Sequence, residues 1–143
     1  VFNAGAAGMS GKEGRLEIEA GDGAQIYNFG DDSGRDGELR LKTGVGPSVF
    51  NFGDIAARHG GEIVIDLGAD TDADSVFFDG LVGNIFIQNY SITYDDKVDV
   101  VVPSTWSGTD NGTDIVFTQS DQTITFEGLG GVGGSTDPLE YFM

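Results

Sequence analysis

A glycine followed by alternating hydrophobic residues recurs along this chain at a nearly constant interval. Gly14, Gly37, Gly61 and Gly83 each begin the pattern, at spacings of 23, 24 and 22 residues. Alternation with period two is typical of a β-strand that buries one face. This repeat constrains the fold more than any other feature. Its hydrophobic positions are Leu16 and Ile18, Leu39 and Leu41, Ile63 and Ile65, and Ile85 and Ile87.

Each copy of the repeat also contains a second strand-like stretch after a glycine-rich turn. It covers residues 25–29 in the first copy and 48–52 in the second, and both stretches lead into Gly-Asp. A period in the twenties, with two strands and two turns per unit, is the signature of a solenoid. We therefore predict an all-β fold, a β-solenoid or β-roll-like stack of coils of about 23 residues. An antiparallel β-sandwich is the alternative, because the same turns would serve as hairpin loops.

Period-two alternation predicts short strands along most of the chain, and helix is expected to be scarce. Only residues 54–60 tolerate a helix. The 24 glycines and three prolines fit many tight turns between strands. The predicted strands cover residues 15–19, 25–29, 38–42, 48–52, 62–67, 75–78, 84–87, 97–102, 114–118 and 123–127.

The length of 143 residues is enough for one domain with a sizeable core. We expect the last four residues to add little to that core, because they follow a glycine-rich stretch. The expected organisation is an N-terminal extension at 1–13, a repeat β domain at 14–102, closing β-strands of the same domain at 103–127, and a glycine-rich linker with a C-terminal tail at 128–143.

The chain is strongly acidic, with 24 Asp and Glu against seven Lys and Arg and a net charge of −17. Such a field repels nucleic-acid phosphates and anionic lipid headgroups and concentrates cations. No run of hydrophobic residues has the length of a membrane span. We therefore expect no nucleic-acid partner and no membrane insertion. The absence of cysteine excludes disulfides and thiolate chemistry.

Aspartates recur in the turns at equivalent places of the repeat. Asp31 and Asp54 each follow a Phe-Gly pair, and Asp79 closes the corresponding strand of the third unit. In a stack of coils these carboxylates would lie one above another along one edge. Like charges at that distance repel one another unless a hard cation lies between them.

The densest acidic turn is GADTDADS, residues 68–75, with aspartates at alternate positions. An irregular loop of this kind can point several carboxylates inward, as Ca²⁺ requires. The alternative is that these residues only favour exposed turns. The predicted calcium ligands are Asp31, Asp32, Asp54, Asp70, Asp72, Asp74 and Asp79, and weaker candidates are Asp36, Asp110, Asn111 and Asp114.

Residues 61–143 carry a family resemblance. The runs NYSITYDDKVDVVV and GTDIVFTQSDQTITFEGL resemble the segment that follows the calcium-binding repeats of RTX (haemolysin-type) exoproteins. The final Glu140-Tyr141-Phe142-Met143 resembles the acidic-then-apolar end of some type I secretion substrates. The nonapeptide Gly-Gly-x-Gly-x-Asp that defines the family is absent. The resemblance implies a calcium-binding β-solenoid that is secreted.

Signals of catalysis are weak in this sequence, and we expect no enzyme. His59, the single histidine, lies beside a turn, and no Gly-x-Ser-x-Gly motif occurs. The glycine-rich residues 128–135 lack the lysine of a phosphate-binding loop. A small enzyme is therefore the least favoured class of function.

The expected function is that of a secreted, non-catalytic structural or adhesive module at the cell surface or in an extracellular fibre. A solenoid with open ends favours homo-oligomers or fibres, which salt or calcium would strengthen by screening the net charge. The alternative is a carbohydrate-binding or accessory module of a polysaccharide-acting enzyme. A surface polysaccharide would then be the partner, and Trp106 would be either its stacking platform or a lid over the solenoid end.

Overall fold

The computed structural model describes residues 2–3, 14–31, 33–58, 60–132 and 134–142. The chain forms a β-solenoid of about four coils, with a spacing of about 23 residues, as the repeat predicts. Among the described residues, antiparallel pairing occurs only where the last strands close the stack, so the alternative of an antiparallel sandwich is wrong.

Short strands and very little helix make up the described part of the chain. The only α-helix of the described ranges, α1, is Pro138–Tyr141, and single 3₁₀ turns cover Ile92–Tyr94 and Pro103–Thr105. The strands are β1 (Phe2–Asn3), β2 (Arg15–Glu19), β3 (Gln25–Phe29), β4 (Glu38–Lys42), β5 (Ser48–Phe52), β6 (Ile55–Ala56), β7 (Glu62–Asp66), β8 (Ser75–Phe78), β9 (Leu81–Val82), β10 (Asn84–Gln88), β11 (Lys97–Asp99), β12 (Ser107–Asp110), β13 (Ile115–Gln119) and β14 (Gln122–Phe126).

Each coil contributes one strand to each of two facing sheets. The first sheet has the order β12-β13-β14-β10-β7-β4-β2 and is parallel from β14 to β2. The second sheet, β1-β3-β5-β8-β11, is parallel throughout. A short third sheet pairs β6 with β9. At the closing end, β14, β13 and β12 pair antiparallel and extend the first sheet.

The core consists of hydrophobic ladders that run up the stack, because the repeat places equivalent residues side by side. In the first sheet, Leu39 pairs with Ile63 and Ile63 pairs with Ile85, and all three are fully buried. In the second sheet the rings of Phe52 and Phe78 lie 5.0 Å apart and nearly parallel. Similar ring stacks join the first two coils. Burial of such side chains stabilises the fold by about 2 kcal/mol each.

Backbone packing between turns explains why glycine begins the coils. A Cβ atom on Gly61 would overlap the carbonyl oxygen of Gly34 in the preceding coil, and one on Gly83 would overlap the carbonyl oxygen of Ala57. Neither glycine has a positive φ. Close approach of successive coils, and not an unusual backbone angle, is therefore what excludes a side chain at these two positions.

The C-terminal tail is part of the core, so the expectation that the last four residues add little to it is wrong. Tyr141 and Phe142 are 2% and 3% exposed. Their rings lie 5.1 and 5.0 Å from the ring of Phe117, and Phe142 forms a parallel bridge with Val98 of the second sheet. The segment that follows the glycine-rich stretch folds back across the end of the stack. Met143 lies outside the described residues.

Candidate functional site

Six of the seven predicted calcium ligands lie in two rows of turns, the two corners of the stack. The first corner leads from the first sheet to the second, and the second corner leads back. The turns of the third and fourth coils are the longest at the first corner, because each has eight residues, 67–74 and 89–96, where the second coil has five, 43–47. The longer turn of the third coil carries Asp70 and Asp72. The first corner comprises residues 20–24, 43–47, 67–74 and 89–96, and the second comprises 30–37, 53–61 and 79–83.

Two carboxylates are buried at the first corner. Asp74 and Asp96 are 1% and 6% exposed. The backbone N–H of Ser48 donates to Asp74 Oδ1 at 2.7 Å, and the N–H of Asp74 donates to Asp96 Oδ1 at 3.0 Å. The N–H of Ser91 donates to Asp96 Oδ2 at 2.7 Å. Each carboxylate therefore bonds its own coil to the preceding one.

Two other carboxylates of this corner make the same kind of bond. The N–H of Val45 donates to Asp22 Oδ1 at 2.9 Å, and the N–H of Gly46 donates to Asp70 Oδ2 at 3.2 Å. Both bonds join neighbouring coils. Turns of a parallel stack leave backbone donors without strand partners, and these side chains supply the missing acceptors.

The buried pair is electrostatically strained. Burial raises the pKa of the Asp74 carboxyl to about 7, the charges of Asp96, Asp70 and Asp72 add to the rise, and the Ser48 N–H opposes it. Burial also raises the pKa of Asp96, against the N–H groups of Asp74 and Ser91. Proton uptake by Asp74 near neutral pH therefore removes a charge that burial disfavours, and it also reduces repulsion at this corner.

The structure brings together the predicted residues Asp70, Asp72 and Asp74 in one turn and adds Asp96, which the sequence analysis missed. Its position in the repeat was the available signal. Asp96 directly precedes β11 as Asp74 directly precedes β8, and Lys97 pairs with Ser75.

At the second corner the three predicted carboxylates do not form one column. The N–H of Asp54 donates to Asp31 Oδ1 at 2.7 Å, so these two stack as expected. Because Phe52 pairs with Phe78, the residue level with Asp54 in the next coil is Gly80. Asp79 is displaced by one residue, since Phe-Gly-Asp in the second coil becomes Phe-Asp-Gly in the third. Asp32 lies outside the described residues.

The weaker acidic candidates at the closing hairpin bind backbone groups. Asn111 Oδ1 accepts from the N–H groups of Thr113 and Asp114 at 2.9 and 2.8 Å. Asp110 accepts from Gly112 and Gly131, and these bonds lower the pKa of its carboxyl. The hairpin turn thus holds the glycine-rich segment that follows β14.

The remaining weak candidate, Asp36, lies in the turn before β4 and has a positive φ of 56°.

No group of three or more acidic or histidine side chains is arranged to hold a metal ion within the residues that the structure describes. The carboxylates at the first corner instead accept hydrogen bonds from backbone N–H groups. In a calcium site the same oxygens would bind the cation in place of these N–H groups. The arrangement therefore does not fit a calcium cage as it stands, and calcium binding stays a prediction. His59 lies outside the described residues.

A cleft of about 370 Å³ opens between the second corner and the closing strands. Asp54 and Asp79 line it together with Trp106, Gln119 and Gln122. Trp106 is only 5% exposed and packs edge-on against Phe142 at 5.5 Å. It is therefore a lid over the solenoid end and does not present a broad stacking face to solvent. Leu81, Val101 and Val102, each about half exposed, form the hydrophobic rim.

Comparison with protein-family models, with curated proteins and with solved structures finds no match to this chain. Among the described residues, no helix has both the length and the hydrophobicity needed to cross a bilayer.

Proposed function

We propose that this domain is a non-catalytic structural or adhesive module of a secreted or cell-surface protein. One observation carries the proposal. Backbone-to-carboxylate bonds run from Ser48 to Asp74 and from Asp74 to Asp96, and they tie three successive coils together at the acidic corner. The acidic turns are thus used to build the stack.

Such a stack suits a mechanical role. Parallel strands join the coils on two faces, and the carboxylates join them at the corner between these faces. A solenoid with cross-linked turns resists local opening, because each coil contacts only its neighbours and depends on those contacts. The net charge of −17 keeps such a surface soluble and hydrated outside the cell.

The experiment that tests this proposal is antibody labelling of intact cells of the organism that makes the protein, together with immunoblots of the culture medium. We expect label on unpermeabilised cells or protein in the medium, while a cytoplasmic marker stays inside. A deletion strain should bind more weakly to surfaces or to other cells. Protein confined to the cell lysate, with unchanged attachment, would contradict the proposal.

Assembly with other copies is a separate part of this proposal. RTX-like secretion is supported by the resemblance of residues 61–143. Calcium binding stays a prediction of that resemblance, because the carboxylates at the first corner accept backbone N–H groups. Homo-oligomers or fibres stay a prediction from the open-ended repeat. The closed C-terminal end restricts them, because end-to-end fibres need two open ends.

A second candidate function is carbohydrate binding, and the cleft at the second corner favours it. The carboxylates of Asp54 and Asp79 and the side chains of Gln119 and Gln122 line this cleft beside a hydrophobic rim. Sugars are bound by such combinations of polar groups and apolar surface. Affinity electrophoresis in gels that contain polysaccharides tests it. We expect retardation that is lost in Asp79→Asn/Gln119→Ala and kept in the exposed control Asp95→Asn. Equal mobility of all three chains with and without polysaccharide would remove this candidate.

A further inference from the structure

At the N-terminal end the two sheets stop at different levels. β1 lies beside β3 and adds one layer to the second sheet. In the first sheet, β2 pairs with β4 on one side and with no strand of the described residues on the other. Every later coil places one strand in each sheet, so a layer is missing beside β2.

The sequence of β1 shows which part of a coil it represents. Val1-Phe2-Asn3 repeats Val49-Phe50-Asn51, which lies within β5 of the second sheet. The pairing agrees, since Phe2 pairs with Tyr27 and Tyr27 pairs with Phe50. β1 is therefore the second strand of a coil, and the missing layer is the position of that coil's first strand.

The free edge of β2 presents backbone groups that no described strand satisfies. The carbonyl of Gly14 accepts from β4, and the N–H of Ala20 donates to β4 at 2.9 Å. Bonding alternates along a parallel strand, so the N–H and C=O groups of Glu17 and Glu19 point away from β4. An edge of this kind is a template for another strand.

The hydrophobic ladder is also incomplete at this edge. Leu16 and Ile18 are only partly buried, whereas Leu39 and Leu41, the equivalent residues one coil later, are 0% and 2% exposed. The ladder thus presents hydrophobic side chains at the same edge that presents backbone donors without a partner strand among the described residues.

We propose that the free edge of β2 receives a parallel strand of one further coil, the first strand of the coil to which β1 belongs. Its inward residues are hydrophobic and cover Leu16 and Ile18. Its outward residues continue the charge pairs of this face, in which Lys42 lies 3.8 Å from Glu19 and Arg15 lies 3.7 Å from Glu38. A basic residue beside Glu17 or Glu19 completes the row.

A second copy cannot pair its β2 edge directly with this one head to head, because β1 adds one layer to the second sheet beyond the level of β2. The other end of the chain presents β12, Ser107-Gly108-Thr109-Asp110, which has no large hydrophobic residue. The backbone of Thr136 lies so close to Gly108 that a side chain there would overlap it, so the C-terminal segment already packs against β12.

Residues 4–13 also lack the required pattern. Met9 is their only large hydrophobic residue, so they contain no alternating hydrophobic pair for Leu16 and Ile18.

The inference depends on strand register and not on the proposed extracellular role, so its test is independent of that role. The test adds a copy of residues 37–48 directly before Val1, because residue 49 begins the matching Val-Phe-Asn. The control extension has serine at the positions copied from Leu39 and Leu41. Melting temperature and hydrogen exchange of the Glu17 and Glu19 amides are measured in the original and both extended chains.

We expect fast exchange at these amides in the original chain. The matched extension should slow it by about tenfold or more and raise the melting temperature, while the control extension does neither. Equal effects of the two extensions would overturn the proposal. Protection of both amides in the original chain would also overturn it. Sedimentation would then show whether a second copy or residues 4–13 cover the edge.

Discussion

Asp96 accepts a hydrogen bond from the backbone N–H of Asp74, at 3.0 Å, while the Asp74 carboxylate accepts one from the coil before it. Both side chains are buried. The two residues thus form a continuous chain of contacts across three coils. Stacked acidic residues add repulsion to the fold, and the same residues supply its corner with acceptors.

The first prediction concerns pH. The folded pKa of Asp74 is raised from 3.8 to about 7, so between these values the unfolded chain has lost a proton that the folded chain retains. Stability therefore falls as pH rises through this range. We expect the free energy of unfolding to be larger at pH 5 than at pH 8, by about 2 kcal/mol. Urea denaturation at a series of pH values measures it.

The matched variants for this prediction are Asp74→Asn and Asp72→Asn. In Asp74→Asn the amide oxygen of the new side chain can still accept from Ser48 but carries no charge. This variant should therefore flatten the pH profile and exceed the original chain in stability at pH 8. Asp72 is half-buried in the same turn, and Asp72→Asn should keep most of the pH dependence. Parallel profiles of the original chain and Asp74→Asn would refute the assignment.

The second prediction concerns the approach of successive coils. Gly61→Ala should lower the free energy of unfolding by about 2 kcal/mol or more, because the new methyl group overlaps the carbonyl oxygen of Gly34. Gly21→Ala is the control, since a Cβ there meets no atom within 4 Å. Thermal denaturation of both variants checks the difference. A Gly61→Ala chain as stable as Gly21→Ala would mean that the coils separate easily.

The third prediction concerns the closing end. Phe142→Ala should cost about 3 kcal/mol, because it leaves a cavity between Phe117, Trp106 and the second sheet. Leu139→Ala, at a position that is 63% exposed, should change stability very little. Chemical denaturation measures both. Residues 140–143 resemble the end of some type I secretion substrates, but their deletion should also destabilise the domain. Such a deletion therefore cannot test secretion alone. Similar stability of the two point variants would show that Phe142 does not close the core.

The fourth prediction separates calcium binding from charge screening. Because the corner carboxylates already accept backbone N–H groups, we expect calcium and magnesium at equal ionic strength to raise the melting temperature equally after treatment with a chelator. Calorimetry measures both shifts. A larger rise with calcium, lost in Asp72→Asn, would instead establish the calcium site expected from the sequence.

Local patterns were enough to predict the strands and their stacking. Strands β2, β3, β4, β5 and β8 have the predicted bounds, since alternation and glycine-rich turns act within a few residues. The constant period predicted the solenoid, because equal units can only bury their hydrophobic face against one another. Residues 54–60, in contrast, form no helix where the structure describes them, and Ile55–Ala56 is the short strand β6. Pairing with β9 decided that segment.

The roles of single residues depended on contacts between distant parts of the chain. The sequence predicted acidic corners, but whether Asp74 and Asp96 are buried depends on how the turns of separate coils meet. The tail shows the same limit, because Phe142 is buried only where the chain returns to Val98. A period of alternation determines which residues can face inward, whereas burial and hydrogen bonding depend on what lies opposite. Only the tertiary structure decides that.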